Sequence, residues 1–203
     1  MRCQRRRWAR GEYIVSILVI GLLVFLGMHS VQIFCPRLRA WAVRRHGLRP
    51  WMGLHTVISF VGLALVVHGY GLARLQPQLL YVPPTGLRHL ALLLMLPVFP
   101  LLFATYFPGR IQRATRHPML LATLLWAAAH LLANGNRADV LLFGGFLAWA
   151  CADLASLARR PPKAIPMLKP SRINDAVSLA GGLAVYALAL LGLHQWLFGV
   201  SPL

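Results

Sequence analysis

R-H-P-M-L-L-A-T-L-L-W-A-A-A-H-L-L-A-N-G-N, residues Arg116–Asn136, decides the fold class: it is an apolar run of membrane-helix character that also carries two histidines, a tryptophan and asparagines. Proline in a first helical turn loses no needed N–H, so Pro118 predicts the start, and Gly135 past the last apolar turn predicts the stop. The resulting helix of about 17 residues is at the short end for crossing a bilayer. At about 100° per residue, Thr123, Trp126, His130 and Asn134 fall on one side, with Leu120, Leu121, Leu124 and Leu125 over much of the rest. A polar face inside a span has to meet protein, water or a ligand. His117 points well away from that face, so the two histidines are expected to do different work.

Composition extends this reading to the whole chain. The 203 residues are 58% hydrophobic and 12% charged, with a mean hydropathy of +0.64 that a soluble domain does not need. Leu/Val/Ala runs bounded by Arg, Pro and Gly lack the short alternating segments of a membrane β-barrel. The expected class is all-α: a polytopic membrane helix bundle of about six transmembrane helices. The predicted spans are Tyr13–Phe34, Trp51–Leu72, Arg88–Phe107, the helix from Pro118, Asp139–Leu157 and Asp175–Gly199. Pro97 and Pro100 should kink the third, while Gly144–Gly145 and Gly181–Gly182 mark places where another backbone can approach. Residues 1–12 read as a basic N-terminal tail with five arginines before Glu12, and residues 13–203 as one transmembrane domain.

The formal charge of +17 resides in gaps between apolar runs: Cys35–Pro50, Pro108–His117 and Ala158–Arg172 hold most of the 21 Lys and Arg residues. Anionic lipid headgroups and the positive-inside rule account for this pattern, and nucleic acid is not expected as a partner. Those loops then face the cytoplasm and both termini lie outside, against the contrary vote of the N-terminal arginines. His29, His55 and His117 fall towards the cytoplasmic side; His68, His89, His130 and His194 fall towards the other. Cys3, Cys35 and Cys151 are too widely spaced for a disulfide framework and are expected as unpaired thiols.

Chemistry is restricted by what the chain lacks. Its acids are Glu12, Asp139, Asp153 and Asp175 alone, which argues against a carboxylate acid–base pair or a di-metal carboxylate centre. No H-E-x-x-H or C-x-x-C-H is present. Imidazole remains as the candidate ligand for haem or a transition metal, and His or Tyr as the candidate for proton transfer.

Seven stretches resemble the NnrU family of bacterial membrane proteins: F-L-G-M-H-S at Phe25–Ser30, L-R-H-L-A-L-L-L-M at Leu87–Met95, P-G-R-I at Pro108–Ile111, R-H-P-M-L at Arg116–Leu120, W-A-A-A-H-L-L-A-N-G at Trp126–Gly135, L-L-F-G-G-F-L-A-W at Leu141–Trp149 and S-R-I-N-D at Ser171–Asp175. The resemblance implies a multi-pass protein of the bacterial inner membrane, linked to nitrite and nitric oxide metabolism in denitrification. The 15-cis-ζ-carotene isomerases share the H-S and R-H-P…W-x-x-A-H elements and use haem b. By that resemblance His29 and His130 are candidate axial ligands of haem b, with Trp126 and Asn134 on the face of His130 as candidate cofactor-binding residues. The isomerases carry a cysteine where this chain has Ala127, a departure that argues against isomerase activity. His55 and His68 receive no role from the resemblance.

Depth offers an independent estimate. At about 1.5 Å per residue, His29 lies about 10 Å into the bilayer from Pro36 and His130 about 18 Å from Pro118, which makes His117 an alternate level match for His29. A haem-associated redox protein, with a redox partner protein, is the first expectation. R-H-P before an apolar helix also resembles the cofactor-binding start of isoprenylcysteine carboxyl methyltransferases, a second reading, although Met119 and Leu120 follow where those usually have a tyrosine. A non-catalytic membrane scaffold or accessory protein is the third.

Overall fold

Apolar runs stopped by proline, glycine or charge become helices, and the computed structural model contains no strand among its described residues. It describes the backbone of residues 2–157, 159 and 169–203, and side chains from residue 15 onward. Helix α1 runs Arg2–Phe34, α2 Pro36–His46, α3 Leu48–Ala73, α4 Thr85–Met95, α5 Val98–Tyr106, α6 Arg110–Thr115, α7 Pro118–Ala133, α8 Arg137–Leu157 and α9 Arg172–Leu188; a π turn, Ala189–Leu193, leads into α10, His194–Phe198. Among the described residues, five stretches are long and apolar enough to cross a membrane: Val15–Phe34, Leu48–Ala73, Thr85–Tyr106, Arg137–Leu157 and Arg172–Phe198. Pro118–Ala133 is the shorter apolar sixth, as its sequence predicts. The chain is an all-α membrane protein.

Two expected loops prove helical. Cys35–Pro50 folds into α2 and the start of α3, and Pro108–His117 contains α6. The reason is local: Pro36 sits in the first turn of α2, where its missing N–H costs nothing, and Arg and Ala are good helix formers. Most of the basic stretch expected as a loop at Ala158–Arg172, Arg160 and Lys163 included, lies outside the described residues.

The chain divides into two compact units. The first comprises residues 1–82 and 135–156, and its centre is the antiparallel pair α1/α3. A Cβ built on Gly21 would lie 2.6 Å from Val66 N, and one on Gly62 would lie 2.7 Å from Phe25 N. Gly69 meets Leu18 in the same way, and Leu18 is fully buried. Three glycines thus bring the two backbones into contact, the close packing by which membrane helices associate. The predicted approach at Gly144–Gly145 is not used like this: Gly144 faces open space, and Gly145 meets only the methyl tips of Leu22 and Leu26 at ordinary contact distance. The start of α8 is tied down by the segment before α4. Leu79 bridges Asn136, Leu80 N–H donates to Gly135 O (2.8 Å), and Arg137 donates from its backbone to Gln78 O and from its guanidinium to Gln78 Oε1, both at 2.8 Å. Gly135 has no positive φ and does not act as a left-handed helix stop; any side chain there would strike the Tyr81 carbonyl.

The second unit, residues 83–134 and 157–203, packs α5 against α7 and α9, with α4 against α7. Its core is Val98, Leu101 and Ala122, flanked by Met95, Leu125 and Trp126. The expected kink is a break between α4 and α5 at Leu96–Pro97. Leu96 N–H turns to Leu93 O, and the Tyr186 hydroxyl donates to Leu92 O at 2.8 Å, giving that carbonyl the partner a regular helix would supply. Gly182 lies against the backbone of Pro100 and Gly181 against the Phe103 ring, so this predicted small-residue contact is present.

Candidate functional site

Each unit gathers imidazole and aromatic rings, and the helical register explains why. On α3, His55, Ser59, Gly62, Val66 and Gly69 recur at steps of four, three, four and three, one stripe of a helix. The glycines of that stripe press on α1, so His55 is carried to the same seam, where α1 presents Phe25 and His29. The His29 and His55 rings meet edge to face with centroids 4.9 Å apart. Phe25 lies 4.4 Å from His29, and Trp149 of α8 stands nearly perpendicular to it at 6.0 Å. His55 Nδ1 is 3.4 Å from Ser59 Oγ.

His29 Nδ1 lies 2.8 Å from the Phe25 carbonyl oxygen, which can only accept, so Nδ1 carries the proton and the lone pair of the neutral ring is on Nε2. Alongside, α1 and α8 form an apolar groove of about 470 Å³ whose walls include Val19, Leu22, Leu26, Ser30, Gly145 and Trp149.

In the second unit, α7 carries His130 on a half-buried face. Its Nδ1 lies 2.8 Å from Trp126 O and is the donor by the same argument, leaving the neutral ring's lone pair on Nε2. The Trp126 ring is 5.4 Å away and His194 is 6.4 Å away, the two imidazole planes being 29° apart. His194 is positioned by an irregular backbone. The helix widens at Ala189–Leu193, Gly192 takes φ 144°, a value open to glycine, and the His194 Nδ1 lies 2.7 Å from Val200 O.

The polar face predicted on α7 is largely satisfied by its own backbone. Thr123 Oγ1 donates to Met119 O at 3.0 Å, and Asn134 donates to His130 O from both its backbone N–H (2.9 Å) and its side chain (3.0 Å). Trp126 packs against the core of its unit. Asn134 therefore caps the helix end, a role that the residue type and position favour without any ligand. His117 is the residue before Pro118, its carbonyl accepting from Leu121 N at 3.1 Å. Its own N–H closes a tight turn onto Thr115 O (2.6 Å) around Arg116, whose φ of 59° and ψ of −43° are strained for a residue with a side chain.

His29 belongs to the first unit and His130 to the second. The sequence pointed to both, and missed the imidazole that the fold sets beside each. For His55 the signal was present, since it lies at seven-residue spacing from Gly62 and Gly69 on one stripe of α3. For His194 the sequence indicated only the side of the bilayer it shares with His130, and a π turn and a glycine at unusual φ decide where its ring points. Among the described residues no three His, Cys, Asp or Glu side chains cluster as metal ligands do.

One family profile, described as NnrU protein, matches residues 17–202. Neither the curated proteins nor the solved structures contain a match to the chain.

Proposed function

The chain belongs to the NnrU family of membrane proteins, and from that premise we propose a haem-associated protein of the bacterial inner membrane that supports nitrite and nitric oxide metabolism or related membrane redox chemistry. The observation that carries this reading is the protonation pattern of two imidazoles. His29 and His130 each donate Nδ1–H to a carbonyl one helical turn back, so each neutral ring holds its lone pair on Nε2. Metal-binding histidines are oriented by such a bond, which also raises the basicity of the coordinating nitrogen. His29 in the first unit and His130 in the second are each a candidate source of a ligand nitrogen, with Trp126 beside His130 as an apolar wall. Haem b, when bound, would supply an iron that changes oxidation state. A redox partner protein accompanies this reading.

The test is the visible spectrum of protein purified from haem-supplied cells. A Soret band is expected, shifted or lost in His29→Ala and in His130→Ala. No band in the native protein, or one unchanged in both variants, overturns it.

A second reading, a non-catalytic membrane scaffold, is favoured by the internal satisfaction of Thr123 and Asn134, which leaves less of the α7 face in need of a ligand. A family member without haem that co-purifies with other membrane components would support it.

A further inference from the structure

Helix α2 joins two membrane spans through one-residue links, Cys35 and Gly47, between Phe34 of α1 and Leu48 of α3. Links this short hold α2 at the level where the spans end. Its half-buried residues are Arg39, Ala40, Ala42 and Val43, which share the side turned to α1 and α3. From Arg37 to Arg45 the exposed residues are Arg37, Leu38, Trp41, Arg44 and Arg45. At about 100° per residue these five lie within an arc of about 120°. Trp41, 55% exposed and edge-on to the His46 ring at 6.0 Å, falls between Arg37 and Arg45 on this arc, and Leu38, 51% exposed, lies at its edge.

The charge on this face has almost no counterpart among the described side chains of its own unit. No carboxylate exists between residues 13 and 138, a stretch that includes Arg37, Arg39, Arg44, Arg45 and Arg49. Asp139 is held by Tyr70, in the last turn of α3 and so at the far end of that helix, and by Asn136. Asp153, four residues beyond Trp149 on α8, is one carboxylate against five arginines.

We propose that the outer face of α2 is a binding surface for anionic phospholipid headgroups, in which Arg37, Arg44 and Arg45 hold the phosphates and Trp41 and Leu38 enter the boundary between headgroups and acyl chains. Guanidinium is suited to phosphate because its donors match two oxygens at once. Tryptophan between basic residues at the end of a span is placed as interfacial anchors are. This inference stands apart from the haem reading.

The experiment reconstitutes the full chain in phosphatidylcholine discs containing a minority of phosphatidylglycerol, re-extracts it in mild detergent and measures the retained lipid by mass spectrometry. Phosphatidylglycerol is expected in excess over its bulk share. The excess should fall about tenfold or more in an Arg37→Gln/Arg44→Gln/Arg45→Gln variant, since each basic side chain near the surface contributes roughly a fivefold factor. The corresponding triple Lys variant should keep much of it, which separates charge loss from misfolding. Native protein should also show a fluorescence component, absent from Trp41→Phe, that is quenched by a nitroxide near the headgroup. Equal retention by native and triple Gln protein overturns the proposal. So does an absence of lipid excess together with an acidic protein that binds native protein and not the Gln variant.

Discussion

The carboxylate of Asp175 occupies the space that any side chain on Gly109 would need. Its two oxygens accept the backbone N–H groups of Arg110 (2.9 Å) and Ile111 (3.0 Å), and the neighbouring Asn174 side chain donates to Pro108 O at 2.9 Å. The P-G-R-I and S-R-I-N-D stretches are thus two halves of one clasp within the second unit, joining α6 to the start of α9. Gly109→Ala should displace the carboxylate and lower the melting midpoint in detergent, and Asp175→Ala should lower it by loss of the same cap. If the double variant melts well below either single one, the two residues do not act through one contact.

Substitution at the α1/α3 seam should be costly where an equal change on α8 is not. Gly62→Ala places a methyl against Phe25 backbone atoms that cannot move without separating the helices, an overpacking that costs about 1–3 kcal/mol. Gly144→Ala meets nothing and replaces a poor helix former, so its stability should be unchanged or raised. Reversible unfolding in mixed micelles measures both, and equal losses would contradict the seam.

Tyr70 and Asp139 form the polar lock of the first unit. Asp139 is 4% exposed and accepts from the Tyr70 hydroxyl at 2.5 Å and from Asn136 Nδ2 at 3.1 Å. Tyr70→Phe removes one of these donors from a buried carboxylate and should cost about 1–3 kcal/mol or more. Tyr70→Phe with Asp139→Asn should be less harmful than the sum of the two, as a double-mutant cycle would record.

Partial desolvation of a ring that is still 39% exposed, and then the negative charge of Asp139, push the Tyr81 phenol above its ordinary range. A phenol whose folded value is raised favours the neutral form, so its contribution to stability is complete below the ordinary tyrosine range and is lost as pH rises through the folded value. The tyrosinate absorbance of native protein minus that of Tyr81→Phe should therefore develop at higher pH than free tyrosine. Asp139→Asn should bring it part of the way back.

Much of the architecture was legible in the chain. The Pro118 start of a short apolar helix, the break near Pro97 and the contact at Gly181–Gly182 all follow from backbone chemistry, because proline lacks an N–H and glycine lacks a side chain wherever they occur. Other features were not. Gly135 looked like a helix stop and serves the approach of Tyr81, and Gly144–Gly145 looked like a seam while Gly21, Gly62 and Gly69 formed one. A glycine makes close approach possible, and which glycine is used depends on the partner that the chain supplies from far away. The polar face of α7 was read correctly as a face. Its hydrogen bonds to carbonyls four residues back could not be assigned from residue types, since the same side chains could equally have turned to a ligand.

Local chemistry alone established an all-α membrane chain, the basic stretches between its apolar runs, its scarcity of acids and the two histidines worth following. Tertiary structure decided which residues those histidines meet: His55 beside His29 because a glycine stripe sets the contact of α3 with α1, and His194 beside His130 because the helix widens before it. Periodicity specifies the direction in which a side chain leaves its own helix, while its neighbour across a seam is set by close packing between segments remote in sequence.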